Sequence, residues 1–134
     1  MFEGQHEDDA LLFDARDVGL GYKLSRNFVL AEAQSKCGDP IVWVHPATIV
    51  LAQHLRDTYG AIKINSWYRS KRHNTSVGGS SNSRHIYGMA IDVVPLEVDL
   101  DTFKHEILSV PIGGIGLYKN FVHLDVFGKN RRWE

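Results

Sequence analysis

NSWYRSKRHNTSVGGSSNSRHIYGMAIDVV, residues Asn65 to Val94, joins two strand-like runs through a polar loop, and its reading decides the fold. Just ahead of it, Ala61-Ile62-Lys63-Ile64-Asn65 alternates as a half-buried strand does. Ser76 to Ser83 is too small and polar to pack as an element, and it joins two halves of one dense motif, so it reads as an ordered loop at a site. Met89 to Val94 is a buried strand closed by Pro95. Across the loop's end and that strand, His85, Gly88, Ala90 and Asp92 form an H-x-x-G-x-A-x-D pattern. An ionised Asp92 between Ile91 and Val93 loses hydration at a cost of several kcal/mol. It therefore needs a hydrogen bond, an opposite charge or a metal.

Further along, Phe121-Val122-His123-Leu124-Asp125-Val126 repeats the oddity, with polar ligand-type residues alternating with apolar ones on a strand. His123 and Asp125 share a face of that strand, and Phe121 lies on it too. The seven-residue spacing of His85 and Asp92 would put both on one helix face, but Gly88 and the β-branched run make a helix a poor reading. His85 is expected at the end of the loop and Asp92 inside the strand. We read His85, Asp92 and His123 as the three protein ligands of one zinc ion. Catalytic zinc takes three such ligands and keeps one position open. Two neutral imidazoles and one carboxylate leave the metal net positive charge, enough to acidify water and polarise a carbonyl, which is the chemistry of hydrolysis. The plainer alternative is a pair of hydrogen-bonded core networks without metal.

The remaining chain reads as one domain, since 134 residues with ordinary apolar and charged fractions supply a single core. Residues 1–23 suggest an arm or edge element, and residues 24–134 the domain proper. Ala31 to Lys36 is a short helical stretch stopped by Gly38 and Pro40. His45 precedes Pro46 at a helix start that runs to Tyr59 and stops at Gly60, with Ala47, Leu51, Leu55 and Tyr59 on its core face. His45 and His54 read as core or surface histidines there. Asp99 to Val110 is a helix with Phe103, Ile107 and Val110 on one side, and Gly113 to Tyr118 and Phe121 to Phe127 form a hairpin. The expected fold is α+β, a small and mostly antiparallel sheet with helices packed on one side.

A net charge of −1 and a pI near 6.6 carry no basic field for nucleic acid or an anionic membrane. Arg131 and Arg132 beside Trp133 read as a solvated or docking end. Cys37, the single cysteine, excludes an internal disulfide and reads as a buried or half-buried thiol. No apolar run reaches the ~20 residues that span a bilayer. The acidic start shows no secretory leader pattern, so the expectation is a protein made in the cytoplasm whose target, if outside, is reached by release or delivery; a monomer is expected.

From about Leu24 to Trp133 the sequence resembles the D-alanyl-D-alanine metallopeptidases, relatives of phage endolysins and the hedgehog signalling domain. It is closest to their short peptidoglycan-peptidase branch. The resemblance is carried by Ser66-Trp67-Tyr68-Arg69-Ser70, Asn74, Val77-Gly78-Gly79, Ser83 through Asp92, Gly114 to Tyr118 and Phe121 to Asp125. It implies zinc on His85, Asp92 and His123, and a hedgehog-like fold. Arg69 would bind a substrate carboxylate or the developing oxyanion, Ser83 would contact substrate, and Asn74 and Gly79 would shape the loop. The implied substrate is the peptidoglycan stem peptide, cleaved as by a carboxypeptidase or an endolysin, with a phage or prophage origin fitting the lack of a leader. One departure stands out. Many relatives carry a catalytic Glu, Asp or His two or three residues before the last zinc histidine, where this chain has Phe121 and Asn120. Asp125 is therefore expected as general base or as the group that orients a ligand histidine, with His73 in reserve. The alternative function is a non-catalytic, zinc-stabilised module that binds cell wall or a protein.

Overall fold

Alternation along the strands sorts this chain into a covered sheet face and an open one. The computed structural model describes residues 2–134. In chain order the elements are β1 (Leu11–Asp14), α1 (Ala15–Val18), α2 (Leu30–Ala33), β2 (Ile41–Val44), α3 (Pro46–Tyr59), β3 (Ile62–Ser66), α4 (Lys71–Ser76), β4 (Ala90–Pro95), α5 (Leu100–Ile107), β5 (Gly114–Leu117), β6 (Val122–Asp125) and β7 (Arg131–Trp133), with 3-10 turns at Glu7–Asp9 and Arg84–Tyr87. β1 and β2 form a separate antiparallel ribbon. The main sheet runs β3-β4-β6-β5-β7 and is antiparallel except where β7 lies parallel to β5. The α+β expectation holds, with the sheet mixed at one edge. Gly128 and Asn130, both at positive φ, reverse the chain after β6 and carry it across to the far side of β5, which makes that last pair parallel.

On the covered face, Ile91 and Val93 of β4, Val122 and Leu124 of β6 and Ile115 of β5 are fully buried with Leu51 and Leu55 of α3 and Phe103 and Ile107 of α5. Tyr59 and Phe103 meet edge to face at 5.0 Å and lock the two helices together. α3 begins as its sequence signals: Pro46 takes the first helical position and the His45 imidazole accepts the Ala47 N–H at 3.1 Å. The other His45 nitrogen donates to the His6 carbonyl at 3.0 Å, and burial holds the imidazole below its usual pKa. His45 is thus a satisfied core residue, and His54 is exposed beside Phe2.

Residues 2–23 pack onto the domain. Phe2 is buried and bridges to Ile112, Gln5 bridges to Phe127, and β1 pairs along β2. Two expectations need correction. Arg131 to Trp133 is not a solvated end but the edge strand β7. Cys37 is exposed rather than buried, because it sits in the turn after α2, where the Gly38 N–H bonds the Ser35 carbonyl. None of the described helices is long and apolar enough to cross a membrane.

Candidate metal centre

Adjacent strands β4 and β6 place Asp92 directly opposite His123, with both side chains on the face away from the helices. His85 arrives from the 3-10 turn before β4. Ser83 caps that turn by accepting the His85 N–H at 3.3 Å, and the His85 carbonyl accepts the Arg69 N–H at 2.9 Å. The three side chains that the sequence spreads over 39 positions meet: one ligand atom from each of His85, Asp92 and His123 lies within 4.8 Å of the other two. His85 Nε2 is 3.1 Å and His123 Nδ1 3.0 Å from Asp92 Oδ1.

The outer nitrogens decide the tautomers. His85 Nδ1 is 2.7 Å from the Trp67 carbonyl, which only accepts, so Nδ1 carries a proton. His123 Nε2 is 2.9 Å from Asp125 Oδ2 and donates to it. Both inner nitrogens are turned toward Asp92, which is the arrangement of ligand histidines held from behind by a carbonyl or carboxylate. Burial opposes ionisation of Asp92, yet with no metal bound the inner nitrogens of His123 and His85, when protonated, donate to it, overcome that penalty and hold the carboxyl well below its usual range. Burial likewise opposes charge on His123, but Asp125 and Asp92 reverse this and push it up to about 9. The cluster favours positive charge at its centre, and two imidazole nitrogens with one carboxylate oxygen are a donor set that suits zinc.

The centre forms the floor of a cleft of about 430 Å³. On one side stands Arg69, only 15% exposed, with Nη1 donating to Asn74 Oδ1 at 3.0 Å and Nη2 3.9 Å from Asp92 Oδ2. Asn74, itself buried, also donates to the Ser80 carbonyl and so ties the loop to Arg69. Gly79 is required there, because a Cβ would collide with the Asn74 side chain. Ser80 and Ser83 line the same side.

A family model described as Peptidase M15 matches residues 23–125. The chain belongs to the peptidase M15 family. No curated protein matches it. M15 peptidases are zinc-dependent metallopeptidases, and the residues of this member fit that metal on the donor set and tautomers just described.

The match stops at Asp125, and the opposite wall of the M15 cleft lies partly beyond it. Tyr118 stacks on Phe121 at 4.7 Å and accepts the Trp133 indole N–H at 2.9 Å, while the Trp133 ring packs 5.3 Å from that of His123. Asp125 is 1% exposed and fully engaged: Oδ2 by His123, Oδ1 by the Phe127 N–H and by Arg131. The sequence reading missed Arg131 and Trp133. Their signal, a basic-aromatic triplet, acquires meaning only once β7 joins the sheet. The glycines of β5 are part of the same design, since a Cβ at Gly114 would strike Asp125 and one at Gly116 would strike Trp133. His73 lies on α4 and does not line the cleft.

Proposed function

We propose that this M15 chain is a zinc peptidase hydrolysing amide bonds in peptidoglycan stem peptides, as a D-Ala-D-Ala carboxypeptidase or an endolysin-type endopeptidase. The observation that carries the reading is the convergence of His85, Asp92 and His123 on the floor of a cleft with Arg69 fixed beside them. Zinc held by these three supplies Lewis acidity, which polarises a carbonyl and acidifies water. Arg69 binds a substrate carboxylate or the developing oxyanion. Its fork is already oriented by Asn74, so little side-chain freedom is lost on binding. Ser83 accepts the His85 N–H and keeps its own hydroxyl proton for a substrate acceptor. Tyr118, Phe121 and Trp133 shield the other flank from water.

Asp125 acts as a positioning residue. Its oxygens are occupied by His123, Arg131 and the Phe127 amide, which suits holding the His123 tautomer better than taking a proton from substrate. The test is zinc content together with mass spectrometry of muropeptides after incubation with wild type and His85→Ala. The wild type should release D-alanine or peptide and the variant should not. Equal release by both proteins would sink the reading.

A second reading has one observation in its favour. Among the described residues, the carboxylates lining the cleft are Asp92 and Asp125, and neither is free to act as a base. A zinc-stabilised module that binds wall or a protein needs none. Wall binding by zinc-loaded protein, with no product from a panel of muropeptides, would select it.

A further inference from the structure

A second cleft, of about 550 Å³, adjoins the metal cleft along one short turn. Arg84 and His85 line the first; the next two residues, Ile86 and Tyr87, line the second. A 3-10 turn rises about 2 Å per residue, so the two linings begin within about 6 Å of each other. The shared wall is rigid: Arg84 pairs with Glu7 at 3.2 Å and its guanidinium lies 3.4 Å from the centre of the Phe127 ring.

The second lining combines the aromatic rings of Trp43, Tyr68 and Tyr87 with Glu7, Asp8 and Lys71. Strand alternation turns Trp43 outward between the fully buried Val42 and Val44 of β2, so its indole, 38% exposed, is presented to this cleft. An indole left in a concave, part-polar site is a binding feature more than a packing one. The charges argue against a cation as occupant, since Arg84 neutralises Glu7 and Lys71 adds a positive charge to a lining that also holds Asp8. A neutral polyol fits. A sugar ring offers a C–H face to stack on aromatic rings and hydroxyls to donate to carboxylates and accept from lysine.

We propose that this cleft is a saccharide subsite that takes an N-acetylated amino sugar of the glycan strand while the attached peptide lies in the metal cleft. The proposal rests on the peptidoglycan reading above, and its test separates the two. A soluble β-1,4-linked N-acetylglucosamine tetramer, carrying no peptide, is titrated into the full chain by calorimetry, which needs no indole as reporter. Saturable binding is expected, weakened about tenfold or more in Trp43→Ala. Asp8→Asn, at a side chain 87% exposed and so without risk to folding, should weaken it by a smaller factor. Alongside, the ratio of kcat/KM on a disaccharide-linked stem peptide to that on the free peptide should be well above one and fall toward one in Trp43→Ala. Absence of saturable sugar binding overturns the subsite even if peptide is cleaved, as does binding equal in wild type and both variants. Sugar binding that follows the expected variant pattern with neither peptide cleaved would retain the subsite and remove the peptidase reading.

Discussion

Ile91 and Asp92 are neighbours on β4, yet they serve opposite faces of one sheet. Ile91 joins a covered face where burial is non-directional and the residues are interchangeable in kind, so the face carries the fold. Asp92 joins the open face, where each polar group is held by a bond of definite length and direction to a named partner. That face holds the groups suited to chemistry, and what it adds to stability depends on a metal being bound there. The contrast teaches that the apolar side stabilises the scaffold on which an otherwise unfavourable cluster of titratable groups can be kept together.

Substitutions on the two faces should therefore fail differently, most sharply at the metal cluster. Asp92→Ala should lose bound zinc and all turnover; metal analysis and a peptide-release assay check this, and stoichiometric zinc with normal turnover would break the contrast. Ile91→Ala should do the converse. It should cost about 2–5 kcal/mol in denaturant unfolding while zinc stoichiometry is kept. Removal of zinc by a chelator should lower the melting temperature, because zinc at a thousandfold excess over its Kd adds about 4 kcal/mol. An unchanged melting temperature would favour a metal-free hydrogen-bond network.

Asp125→Asn sharpens the comparison within the open face. As a positioning residue it should cost about 10–100-fold in zinc affinity, read by competition with a chelating dye, whereas loss of turnover at full zinc affinity would make Asp125 the base. The smallest effect is expected at Cys37, which belongs to neither face. Hydroxyls of Ser35 and Ser70 lie 3.4 Å from its sulfur and lower the thiol to about 7. Since the thiolate is the reactive form and grows with pH, alkylation should reach half its maximal rate near pH 7 instead of about 8.5. Bound zinc should be unaffected.

Much of the scaffold was legible because its signals are local. Pro46 and Gly60 bracket α3, alternation marks β3 and β6, an apolar run closed by Pro95 marks β4, and Phe103 and Ile107 give the buried stripe of α5. α4 escaped notice because Lys71 to Ser76 has no apolar stripe; it is held by the Ser70 cap and by Asn74 reaching the loop. β7 escaped for another reason. Three residues have no periodicity to read, and only pairing with β5 makes them a strand.

By itself the sequence showed that Asp92 and His123 are out of place in apolar runs and that Asp92 needs a partner, because an uncompensated charge between Ile91 and Val93 is too costly to keep. Only the tertiary structure decided which nitrogen of each imidazole faces inward, since that depends on the Trp67 carbonyl and Asp125 coming up behind them. It also decided that Asp125 is tied to Arg131 and that Trp133 walls the cleft. Those contacts join chain segments through sheet pairing, and pairing register is a property of two strands together that neither strand's sequence states alone.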